Sequence, residues 1–104
     1  MVMRKKKLAP VHPGEVLREE FLLPLKLSAY AVARAIGVPR TRIERLAREE
    51  VALAADTALR LAAFFGTTPA FWLGIQMQFD LERTADEARG IDRIKPIVRE
   101  VIAA

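Results

Sequence analysis

The sequence has no cysteine, one histidine and one serine. Without cysteine there is no disulfide, no thiolate chemistry and no sulfur-ligated metal site. His12 has no further ligands clustered at metal-binding spacing, and Ser28 cannot assemble a Ser/His/Asp set. A glycine-rich phosphate loop is also missing. The adjacent carboxylates Glu19–Glu20 and Glu49–Glu50 read as solvated neighbours along helices. These gaps argue against an enzyme and against any metal or cofactor. No segment approaches the ~18 apolar residues needed to span a bilayer. The basic start is not followed by the apolar run of a signal peptide, because Pro10, His12, Pro13 and Glu15 interrupt it. The expectation is a soluble, cytoplasmic protein with no membrane partner.

What remains is ordinary in size and unusual in pattern. A chain of 104 residues supports one hydrophobic core and not two. Its 52% hydrophobic and 29% charged residues describe a globular chain and not a disordered one. Seventeen Lys+Arg against thirteen Asp+Glu leave a formal charge of +4, which is compatible with a polyanionic partner without requiring one.

Strand-like alternation and internal repeats are absent, and helical periodicity is everywhere. Residues 1–12 read as a flexible basic arm containing Lys5, Lys6 and Lys7. Pro13 suits a first helical position, and Glu15 lies where the helix dipole favours an anion. Val16, Leu17, Phe21 and Leu23 give a first apolar stripe, which Pro24 should end. Ser28 is a good N-cap for a second helix with Ala29, Val32, Ala33 and Ile36 on its inner face. Gly37 can take the left-handed turn that follows. A third helix spans residues 39–49, a fourth begins near Asp56 or Thr57 and stops at Gly66, and a fifth runs from 69 toward Gly90. The tail 91–104, broken by Pro96, is compatible with a short helix or an extended segment.

Two helices joined by a tight glycine turn, the second basic outside, are the helix-turn-helix pattern, here over residues 28–48. Projected at 100° per residue, Ile43, Leu46 and Ala47 face inward, while Arg40, Thr41, Glu44, Arg45 and Arg48 face outward. Arg40 is the first candidate for a bidentate contact to guanine, and Thr41 can offer its methyl to thymine. Arg45, one turn on, can read a base or hold a phosphate. Arg42 and Ser28 suit phosphate, with Arg34 a weaker candidate. The competing account is a solvated face on which Glu44 pairs with Arg40 and Arg48.

The segments HPGEVLREEFLLPLKLS, AIGVPRTRI and ADTALRLAAFFGTTPAFWL resemble the HigA family of antitoxins, within the larger Cro/cI-type (XRE-like) class. The resemblance covers about residues 12–81. It implies an all-α, five-helix Cro/cI-repressor-like bundle with a short C-terminal extension. It also implies a dimeric repressor of its own operator and, in many relatives, neutralisation of a HigB-type mRNA endonuclease toxin. On the family pattern the DNA-contacting positions fall on Ser28 to Tyr30 and on Arg40 to Arg45. Ala29 stands where glutamine is common, and Arg48, Glu49, Glu50 and Val51 stand where the family has Asn-Gly followed by basic residues. The third helix has thus lost its glycine cap, and two carboxylates replace side chains that would face phosphate.

The domain is expected over residues 13–90, closed by a dimerisation helix at about 69–90. Phe71 and Trp72 are assigned to the core over helices 1 and 4. Ile75, Met77, Phe79 and Leu81 are more apolar surface than one bundle can cover and read as a homodimer interface. Two alternatives stay open: a stand-alone regulator with no toxin, and a protein-interaction module with weak DNA binding.

Overall fold

The computed structural model describes residues 9–98. Among the described residues five helices enclose a single core and there is no strand. Helix α1 consists of three abutting segments, Pro13–Val16, a π-helical stretch Leu17–Leu22 and a closing turn Leu23–Leu25. It is followed by α2 (Ala29–Ile36), α3 (Arg40–Ala47), α4 (Ala55–Phe65) and α5 (Pro69–Glu87). Among the described residues none of the helices is long and apolar enough to cross a membrane.

Pro24 does not end α1 as expected but lies inside it. In α-helical winding its ring would clash with the carbonyl four residues back. The wider π turns just before it are the adjustment that admits proline. The chain leaves α1 at Lys26, in a left-handed conformation (φ 57°). The altered winding also shifts the buried stripe. Leu17 and Leu22 are in the core, whereas Leu23 is 62% exposed.

The core gathers one face from each helix: Leu17 and Leu22, then Val32, Ala33 and Ile36, then Ile43 and Leu46, then Ala58, Leu61 and Ala62, and finally Trp72. Leu53, from the loop before α4, completes it. Trp72 is fully buried, and its Nε1–H donates to Thr67 Oγ1 at 2.8 Å, which satisfies its one polar atom. Phe71, expected beside it in the core, is 42% exposed at the edge of an aromatic cluster with Phe21. Thr68 caps α5 through its Oγ1, with Pro69 at the first helical position. The helix stops at Glu87, three residues short of Gly90, because Ala88 turns extended. A single 3-10 turn (Ile91–Arg93) and a stretch without regular secondary structure to residue 98 follow, and residues 99–104 of the expected tail lie outside the described part.

Of the expected N-terminal arm, residues 1–8 lie outside the described part. His12 belongs to the folded body: it is 4% exposed, and its Nδ1 accepts the Gly14 N–H at 2.9 Å, capping α1.

Candidate nucleic-acid interface

Helices α2 and α3 are joined by Gly37–Pro39. Gly37 takes φ 79°, ψ 37°, the left-handed geometry that ends α2, and its N–H bonds the Ala33 carbonyl. Space is not what requires glycine here, since an added Cβ would meet only the Arg60 guanidinium at 3.4 Å. Ile43 and Leu46 turn into the core, and Arg40, Thr41, Arg42, Arg45 and Arg48 are exposed. The inward and outward faces of α3 are those the periodicity gives. A groove of about 470 Å³ runs beside it, between Thr41, Arg42 and Arg45 on one side and Val51–Ala54 on the other.

The arginines of this face differ in what holds them. Arg40 Nε is 3.2 Å from Glu44, and its guanidinium carbon lies 5.7 Å from the Tyr30 ring centre. Tyr30 in turn accepts a hydrogen bond from Arg34 Nη1 at 3.3 Å, so one exposed cluster spans α2 and α3. Arg42 donates to Asp56 at 3.1 Å, and the same carboxylate holds Arg60. Arg48 pairs with Glu50 at 3.0 Å instead of with Glu44. The Arg45 side chain has no ion pair or hydrogen bond among the described residues. Exposed ion pairs of this kind contribute only about 0–1 kcal/mol, so a phosphate or a base can compete for Arg40 and Arg42. Ser28, at the start of α2, caps its own helix by accepting the Ala31 N–H at 3.0 Å. It stays exposed, next to two first-turn N–H groups.

The missing glycine after α3 has a definite structural replacement. Glu49 adopts φ 63° and takes the left-handed position itself. Its N–H bonds the Leu46 carbonyl and the Glu50 N–H bonds the Arg45 carbonyl, both at 2.9 Å, which is the Schellman closure. The helix therefore neither runs on nor frays. Its two trailing carboxylates are already engaged, Glu50 with Arg48 and Glu49 with Arg18 Nη2 at 3.1 Å.

The helix-turn-helix family pattern matches residues 17–72 of this chain. Over 79 residues the chain is 47% identical to antitoxin HigA-1 of Vibrio cholerae, covering 76% of this chain and 74% of that one. The chain belongs to the HigA-type helix-turn-helix family. Over 93 residues it is 42% identical to virulence-associated protein I of Dichelobacter nodosus, covering 89% of this chain and 86% of that one. The fold matches Pseudomonas aeruginosa antitoxin HigA, solved with the higBA promoter, at a TM-score of 0.80 and 36% identity. That match covers 86% of this chain and 99% of that one.

Within this HigA-type frame, the four residues expected at a dimer interface do not share one face. Phe79 is half-buried, edge-on to His12 at 4.8 Å between ring centres, with Arg83 over its own ring. Ile75 is half-buried in a shallow groove with Val16 and Phe71, whereas Met77 and Leu81 are 60% and 59% exposed.

Sequence reasoning missed the residues that support the reading head. Asp56 was expected near the start of α4; the helix begins at Ala55, and the Asp56 carboxylate goes to Arg42 and Arg60. Arg60 also donates to the Ile36 carbonyl at 2.8 Å, tying α4 to the end of α2. Buried Gln76 accepts the Leu53 N–H at 2.7 Å and donates to Asp80, fixing the loop after α3. The signal for Gln76 was present: it is a polar residue in line with Trp72 on the inner face of α5. Gly14, a plain helical glycine in sequence, lies directly under the Leu46 carbonyl.

Proposed function

We propose that the chain is a sequence-specific operator-binding repressor of its own gene and an antitoxin against a HigB-type mRNA endonuclease. The observation that carries the DNA reading is α3 itself. It is a two-turn helix anchored inward by Ile43 and Leu46 that presents Arg40, Thr41 and unpaired Arg45 together on an exposed face. A major groove admits such a helix, and these side-chain types match guanine and thymine edges. Ser28, Arg34 and Arg42 act at phosphates, with Tyr30 bracing Arg40 from α2. An operator-binding role places the chain in the cytoplasm. The antitoxin part draws on the likeness to proteins that bear that name.

The repressor acts as a homodimer. Met77 and Leu81, four residues apart on the outer side of α5, are the apolar residues a second copy would cover. A two-fold pairing would set the recognition helices about 34 Å apart, on successive major grooves. Met77→Asp should then leave a folded monomer in light scattering; an unchanged molar mass would place the interface elsewhere.

A protein-interaction module with weak DNA affinity remains a competing reading, favoured by the ion pairs that already engage Arg40, Arg42 and Arg48. A gel shift with the DNA upstream of the chain's own gene separates the two. The repressor should bind that DNA in preference to random duplex, with affinity falling steeply with salt as counterions are released. A flat salt dependence would favour the interaction module. Co-expression with any small basic protein encoded beside the chain's gene tests the antitoxin part: rescue of growth supports it, and undiminished toxicity counts against it.

A further inference from the structure

The recognition helix is too short to hold its own direction. Eight residues give α3 two turns, well below the length at which a helix is stable alone. Its bearing is therefore set by the seating of Ile43 and Leu46 in the core and by what grips its ends. The start is tied to α2 through the Gly37 turn. At the other end, the carbonyls of Leu46 and Ala47 both rest on α1. Gly14 lies beneath the first, so close that an added Cβ would sit 1.8 Å from that oxygen. One turn along α1, Arg18 Nη1 donates to the Ala47 carbonyl.

Arg18 does more than cap. Its Nε is 3.0 Å from Glu19 and its Nη2 3.1 Å from Glu49, so a single guanidinium spans two carboxylates and one helix-terminal carbonyl. This uses the fork geometry that lysine lacks. Glu49 is the residue that sits left-handed, a conformation costly for any side chain and free for glycine. Local structure gives no reason to prefer glutamate there; the carboxylate's bond to Arg18 does. With Glu19 and Glu49 the trio carries a net charge of −1, so it is not itself a cationic docking point for DNA.

We propose that Arg18 is a positioning residue for DNA reading, with Glu49 as its anchor: held by Glu49 and Glu19, it fixes the C-terminal end of α3 and so the angle at which Thr41 and Arg45 meet the groove. This rests on the DNA-binding reading above. It gives the acidic end of the helix a task inside the protein.

The test uses the full chain, fluorescence polarisation and two duplexes of equal length, one from upstream of the gene and one random. For Arg18→Gln, operator affinity should fall about five- to tenfold more than random-duplex affinity, which loses only the general attraction of one cation, and the salt slope should stay close to wild type. Glu49→Gly relieves the left-handed strain and removes the anchor. It should therefore raise or preserve the melting temperature while weakening operator binding about two- to threefold, a pairing that a purely structural role does not produce. The double variant should be no weaker than Arg18→Gln alone, because both changes break one linkage. Equal losses on both duplexes with a shallower salt slope would make Arg18 a phosphate contact and overturn the proposal. A lowered melting temperature with unchanged operator preference would overturn it as well. A wild-type chain without operator preference would instead overturn the DNA reading and this proposal with it.

Discussion

Gly14→Ala is the substitution whose outcome local and tertiary reasoning predict with opposite sign. Gly14 sits in the first turn of α1, at a negative φ, where alanine is intrinsically preferred by up to about 1 kcal/mol. Tertiary structure reverses this. The new Cβ would stand 1.8 Å from the Leu46 carbonyl oxygen and 2.9 Å from its carbon. Both atoms are backbone, so no side chain can rotate away. To restore an ordinary contact, α1 and the last turn of α3 must separate by more than 1 Å. That shift would strain the contacts of Leu17 and Leu46, both essentially buried. Overpacking of this kind costs about 1–3 kcal/mol or more, which outweighs the propensity gain. For a domain of this size, each kcal/mol moves the melting temperature by about 4–8 °C. The expected result is therefore a loss of about 5–20 °C, read by far-UV circular dichroism. A melting temperature equal to or above wild type would refute the close approach of α1 to α3 and the clamp built on it.

Burial lowers the pKa of His12 from its ordinary 6.5, against the raising effects of Glu49, the Val51 backbone and Asp80 and with a further lowering by Arg83. The neutral ring that caps α1 is thus favoured by folding. Its contribution is whole above pH 6.5 and is lost as pH falls through 6.5 toward the lowered folded value. Between pH 7 and 5 the melting temperature of wild type should fall further than that of His12→Asn, and parallel curves would contradict this. Gln76→Leu leaves the Leu53 N–H buried without its acceptor and should cost about 1–3 kcal/mol in denaturant unfolding; a neutral result would mean the loop repacks around water. Asp56→Asn releases exposed Arg42 and Arg60, so stability should change by less than about 0.5 kcal/mol. Affinity for any duplex should rise with a steeper salt slope, and weaker binding would show that the Arg42–Asp56 pair orders the site.

The five helices and the inner face of α3 were legible because 3.6-residue periodicity and turn residues are local. Val32, Ala33, Ile36, Ile43 and Leu46 are all buried as their spacing implies. Gly37 was legible for the same reason, since its left-handed backbone is a one-residue property. What failed was non-local. Pro24 reads as a helix stop, and only π winding upstream lets α1 continue. Glu49 reads as a stray charge, because its partner Arg18 lies 31 residues away on another helix. Phe79 reads as free apolar surface until His12 folds back onto it. Arg40 and Arg45 on the outer side of α3, Arg42 at its edge and Arg34 on α2 are all exposed. Which of them are tied down depended on Asp56 and Glu50, whose reach no helical projection shows.

The central claim is that the outer face of α3 reads base edges. Its most direct test is the ratio of operator to random-duplex affinity for Arg45→Ala, with Arg40→Ala alongside, in chains shown by circular dichroism to keep their helicity. Arg45 needs no ion pair broken before it can act, and a bidentate base contact carries about 1–3 kcal/mol of discrimination. The ratio should therefore fall about fivefold to a hundredfold for Arg45→Ala, and specific binding should be abolished by Arg40→Ala. An unchanged ratio in both variants, with the fold intact, would contradict the account.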